Sequence, residues 1–200
     1  MCLFKPLEPV KNIGLKEILK KVVIDCIDIE ENPYDFKDDF IQSSDFDFCL
    51  LTSQFLFIGT DDDSTEIYNL NLFNYCVRNN YKELFVISTE YINTEYKIFD
   101  NGEWSLAYKF TVGIDNFSTI RVNFNYGISA LLFPEDRSFL ILLTDSYDII
   151  AGSRYFIEEI IENNIFNQAE IFLEDLYKPN DYIKSLSSKY LKLIDSKHIQ

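Results

Sequence analysis

The side chains that could do chemistry in this chain are almost all carboxylates. Hydrolysis by a Ser-His-Asp or Cys-His set needs a base that titrates near neutral pH. The one histidine is His198, two positions from the last residue, in a stretch expected to fray. Zinc sites built on histidine are disfavoured for the same reason. Cys2, Cys26, Cys49 and Cys76 cannot stand in for it, because their spacings of 24, 23 and 27 residues contain no CxxC pair. No GxGxxG or GxxxxGK[ST] loop is present to cradle a phosphate. The reading is of a protein that is not an enzyme, with no catalytic, metal-binding or cofactor-binding residue to assign and no cofactor.

Two groups of carboxylates remain. Asp61-Asp62-Asp63 contains a DxD, whose paired carboxylates at a strand end could hold a divalent cation beside a nucleotide. It lacks the glycine and closing glutamate of a calcium loop, and a chain this rich in Asp produces DxD by chance, so a solvated acidic loop is favoured. In the second group Asp35, Asp38, Asp39, Asp45 and Asp47 interleave with Tyr34, Phe36, Phe40, Phe46 and Phe48. Rings beside carboxylates can form an adhesive surface, the ring supplying area and the acid supplying charge. The plainer reading sends each Phe into the core and each Asp to water. These five residues, with Asp61, Asp62, Asp63 and Glu66, form the candidate partner-binding set.

The charge balance points the same way. Eighteen Lys and Arg oppose thirty-three Asp and Glu, a net charge of −15. Such a surface repels nucleic-acid phosphates and anionic lipids and suits a basic protein partner. The charge is uneven: residues 22–66 hold thirteen acids and one base, Lys37, whereas residues 178–197 hold five Lys and two Asp. Acidity that merely keeps an aromatic-rich protein soluble is the competing explanation.

Those residues need a scaffold, and the chain can build one. With 47% hydrophobic residues, eighteen Phe and thirteen Tyr, its 200 residues suffice for a single domain, 1–200, with a large core. The start, Met-Cys-Leu-Phe-Lys-Pro, shows no secretory pattern, and no apolar run is long enough to span a bilayer. A cytoplasmic setting with free thiols, three of them in the core, is the expectation.

Periodicity places the elements. Leu15, Ile18, Leu19 and Val22 mark one face of a helix over residues 15–24, with Lys16, Lys20 and Lys21 outward. Residues 22–29 leave open whether that helix ends early or a strand follows. Residues 30–47 read as an acidic connection. Strands are expected at residues 46–52 and 55–59, joined by a turn at Ser53-Gln54. A helix capped at Ser64-Thr65-Glu66 follows, with Ile67, Leu70, Phe73 and Val77 as its buried stripe. Further strands are expected at residues 84–89, on either side of the Asn101-Gly102 turn near Trp104, and at residues 120–126, 139–144 and 147–151. Ser153 should cap a helix burying Phe156, Ile157, Ile160 and Ile161, with Arg154 pairing to Glu158. Helices over residues 169–177 and from Asp181 complete the chain, the last carrying Ile183, Leu186, Tyr190, Leu191 and Ile194 along one side. This is an α+β fold: an antiparallel β-meander packed against helices, with an N-terminal helix and a C-terminal helical segment.

The stretch 133–160, FPEDRSFLILLTDSYDIIAGSRYFIEEI, resembles a pattern of small bacterial immunity proteins against polymorphic and contact-dependent toxins. A strand with an aromatic start (Phe139) leads through a polar turn (Asp145-Ser146) to a second strand (Ile149-Ile150). A small-residue pair (Ala151-Gly152) then precedes a helix opening on Phe156-Ile157. The resemblance covers about an eighth of the chain and implies a cytoplasmic protein that neutralises a toxin domain, often a basic nuclease. It carries over no functional residue, because such proteins bind through variable surfaces. The expected function is therefore an acidic protein that binds and neutralises a basic partner, without nucleic acid or membrane. A carboxylate-based, metal-dependent enzyme and a nucleic-acid mimic stay open beside it.

Overall fold

The structure, a computed structural model, describes residues 8–30, 32–52, 63–90, 92, 106–113, 129–144, 147–162, 165, 168, 172 and 181–198, with only the backbone of 63–67 and 191–198. The expected strands at 55–59 and 120–126, the turns at Ser53-Gln54 and Asn101-Gly102, and Trp104 lie outside these residues. Of the helix expected over 169–177, only Phe172 is described, and it is helical and buried.

In chain order the elements are β1 (Glu8–Pro9), α1 (Ile13–Cys26), β2 (Ile27–Asp28), β3 (Asn32–Phe36), α2 (Asp38–Ser43), β4 (Asp47–Thr52), α3 (Asp63–Arg78), β5 (Glu83–Ser88), β6 (Ala107–Thr111), β7 (Ala130–Phe133), β8 (Phe139–Leu143), β9 (Tyr147–Gly152), α4 (Arg154–Ile161) and α5 (Asp181–His198). Among the described residues seven strands form one antiparallel sheet in the order β1-β6-β5-β7-β8-β9-β4, and β2 pairs with β3 separately. Sequential strands pair in β5-β6 and in β7-β8-β9, but β5 also pairs with β7, so the chain passes over β5 between β6 and β7 and the sheet is antiparallel without being the simple meander expected. The early strands β1 and β4 return to pair with β6 and β9. The α+β architecture read from the sequence is therefore the observed one. No helix among the described residues is long and apolar enough to cross a membrane.

Helices cover both sheet faces, which explains why β8 is apolar throughout rather than alternating. Phe139, Ile141 and Leu143 join Leu72, Tyr75 and Cys76 of α3 and Phe156, Ile157, Ile160 and Ile161 of α4. Leu140 and Leu142 face the opposite layer, with Leu19, Val22, Val23 and Cys26 of α1, Ile41 of α2, and Ile183, Leu186 and Tyr190 of α5.

Local chemistry sets the helix ends. The Asn12 side chain accepts the Leu15 amide at 3.0 Å and starts α1. Ser153 does the same for α4, accepting the Phe156 amide at 3.1 Å, as its sequence predicts. Gly152 sits where a Cβ would come within 2.6 Å of the Phe156 ring, so the small residue there is a packing requirement.

Three helical details differ from the expectation. Helix α1 runs on to Cys26 before β2 begins, and its buried face is Leu19, Val22, Val23 and Cys26, leaving Ile18 56% exposed. In α3 the buried stripe is Leu72, Tyr75 and Cys76, while Leu70 and Val77 are 47% and 55% exposed. That helix is already under way at Asp63, one residue before Ser64. In both helices apolar residues occur on more than one face, so spacing alone admits several stripes and docking against the sheet selects one. Arg154 of α4 reaches back to Asp47 of β4, its Nε 3.5 Å from Oδ2.

Candidate functional site: the acidic segment

Residues 30–47, expected to be a connection, contain β3 and α2. Apolar anchors order them. Phe36, Ile41 and Phe48 are buried, and Phe40 and Phe46 are partly so. Their rings pack as one group: Phe36 lies 5.5 Å from Phe48 and 5.7 Å from Phe40, and Phe48 lies 5.7 Å from Tyr190. Lys37 ties the segment to α1 by donating from Nζ to the Ile24 carbonyl at 2.7 Å, within the last turn of that helix, where carbonyls lack helical partners.

The phenylalanines thus face inward, as the plainer reading had it, and the acids divide into two kinds. Asp39 and Asp45 are exposed, and so is Asp38 at 73% of its side chain. Asp38 and Asp39 occupy the first turn of α2, where the helix dipole favours negative charge. Asp47 is only partly exposed and pairs with Arg154. Asp35 is 8% exposed and its bonds are internal. Its Oδ1 accepts the Phe36 amide at 2.8 Å and the Tyr190 hydroxyl at 2.5 Å, and its Oδ2 accepts Lys189 Nζ at 2.8 Å. Strand alternation would have sent either Asp35 or Phe36 outward. The register of β2 against β3 shifts between Ile27 and Asp28, and both side chains are buried. Asp61 and Asp62 lie outside the described residues. Asp63 and Glu66 belong to α3, without described side chains.

Residues that sequence reasoning missed complete the arrangement, three of them on α5. Lys189 Nζ bridges Asp35 and Asp38, at 2.8 Å from each, and also donates to the Phe36 carbonyl at 3.3 Å. Burial works against its ammonium, but hydrogen bonds to Asp35 and Asp38 and their charges outweigh it and hold the pKa above the usual lysine value. Burial, then the Asp35 charge, push the Tyr190 hydroxyl well above the usual tyrosine value. Nearby, Tyr182 accepts from Asn32 Nδ2 at 2.8 Å and meets the Tyr147 hydroxyl at 3.1 Å. The sequence offered a partial signal: α5 belongs to the basic end of the chain, and Tyr190 falls on its apolar stripe. Nothing in the spacing told which acid Lys189 would meet.

The arrangement presents exposed carboxylates on a segment whose rings pack into the core. Among the described residues no three His, Cys, Asp or Glu gather closely enough to hold a metal ion. Cys26, Cys49 and Cys76 are buried free thiols, as expected. Burial pushes Cys26 and Cys76 up to about 12 and raises Cys49 as well, so at neutral pH all three are neutral packing groups rather than nucleophiles. No family model matches this chain, and no curated protein or solved structure matches it significantly.

Proposed function

We propose that this protein binds and neutralises a basic partner protein through its acidic segment, as an immunity protein does with a toxin domain. One observation carries the reading. Asp38, Asp39 and Asp45 are exposed on a segment whose intervening rings are anchored in the core. A face held in place before binding loses little conformational freedom on docking. Its charge accelerates encounter with a cationic partner and weakens with salt. The resemblance of residues 133–160 to immunity proteins gives the partner class, and the net charge of −15 gives its sign.

The test is capture from a lysate of the source organism at low and moderate salt, comparing wild type with an Asp38/Asp39/Asp45→Asn variant. The expected result is one basic protein in stoichiometric amount, lost with the variant, whose toxic activity is suppressed by one equivalent of the wild-type chain. A captured protein that keeps full activity when saturated, or equal capture by the variant, would overturn the reading.

A further inference from the structure

The contacts between α5 and the acidic segment form a matched series. Tyr182 meets Asn32, and Lys189 and Tyr190 meet Asp35, positions some 150 residues apart in sequence. From Tyr182 to Lys189 a helix advances about 10 Å. On the segment, Asn32 and Asp35 flank the irregular part of β3, so α5 holds that stretch at two separate places, Tyr182 on one side and Lys189 with Tyr190 on the other. Tyr147 of the sheet joins the seam by donating to the Tyr34 carbonyl at 2.9 Å.

We propose that α5 is a latch for the acidic segment: segment 32–43 and helix α5 dock and release as one unit on a sheet that stays folded without them. The buried carboxylate makes the coupling obligatory. Without α5, Asp35 keeps only the amide of its own neighbour, Phe36, and a buried carboxylate so poorly paired is driven into water. Its exit carries Phe36 out of the core and Asp38 away from its place on α2. Without the segment, Lys189 loses both carboxylates and Tyr190 its acceptor. The opposite face of the sheet is held by a separate set of contacts between α3, α4 and the strands, so it need not respond. The latch concerns only how this chain orders its own acidic face and stands apart from the identity of any partner.

Hydrogen exchange read by mass spectrometry on the full chain tests it, with wild type beside Asp35→Asn and Tyr190→Phe. Asp35→Asn removes the charge with little change of shape. Tyr190→Phe removes one hydroxyl and keeps the ring against Phe48. The expected result is exchange about tenfold faster in both 32–43 and 181–190 for Asp35→Asn, with 139–161 unchanged. A smaller acceleration of the same two segments is expected for Tyr190→Phe. Acceleration of one segment without the other, or of neither, would overturn the latch. Should Asp35→Asn lose its fold altogether, Tyr190→Phe decides: equal acceleration in 139–161 would also overturn it.

Discussion

The two faces of the sheet are stabilised by different means. On one, α3 and α4 bury an aromatic group, and the buried carboxylate there, Asp148 opposite Leu143, accepts the nearby Thr144 amide of its own hairpin at 3.3 Å. Phe156 stacks on Phe139 at 4.5 Å and meets Tyr75 edge-on at 4.7 Å, and polar ties such as Asn71 to the Ile160 carbonyl and Arg78 to Glu159 lie toward the rim. On the other, α1, α2 and α5 cover an equally apolar sheet, but a buried carboxylate with its lysine and tyrosine crosses the layer. Apolar packing tolerates many partners of similar volume, whereas a buried carboxylate accepts only donors placed to suit it. The first face therefore secures the fold. The second also fixes where one particular segment sits, and that segment carries the exposed acids.

The largest effect should reach both faces at once. Cys26, Cys49, Cys76, Tyr190 and Lys189 are all held protonated above their ordinary values, which are 9.0 for the thiols, 10.0 for tyrosine and 10.5 for lysine. A raised value stabilises the fold fully below the ordinary value, and that contribution is lost as pH climbs through the raised one. Stability in urea should therefore hold from pH 7 to 9 and fall steeply from 9 toward about 12, the value reached by Cys26 and Cys76. Constant stability through pH 11 would show that these groups are more solvated than the structure has them.

Phe156→Ala should be the most damaging single change on the α3/α4 face, at about 3–5 kcal/mol in urea denaturation. A loss under about 1 kcal/mol would mean that the aromatic group collapses around the gap and secures little. Asp35→Ala should cost about 2–3 kcal/mol, less than a fully buried pair because Lys189 is partly solvated. Pairing Asp35→Ala with Lys189→Met in a double-mutant cycle should recover part of that loss, since neither charge is then left alone. Strict additivity would reduce the seam to independent contacts. Last, Asp39→Asn and Asp45→Asn should lower the melting temperature by no more than about 3 °C, the small helix-dipole contribution of Asp39, while weakening partner binding, which would separate the exposed acids from the structural one. A larger drop would assign them to the fold.

Legibility in the sequence tracked the same division. Helix α4 was readable in its cap and its buried face, because a serine cap, an aromatic start and one apolar stripe agree with one another. Strands β8 and β9 were readable because their apolar runs have no other use. Helices α1 and α3 were readable as helices but not in rotation: Ile18, Leu70 and Val77 are as apolar as the residues that were buried in their place. The acidic segment looked like a connection because its periodicity is broken at the bulge where Asp35 and Phe36 both turn inward.

By itself the sequence determined the α+β class, the antiparallel sheet and the acidity. Those follow from composition and from periods of two and 3.6 residues, which are local properties of the chain. Only the tertiary structure decided which acids remain on the surface. Asp35 and Asp39 are the same residue type in the same acidic run. What separates them is a lysine and a tyrosine some 150 positions away, and local pattern carries no information about contacts at that range.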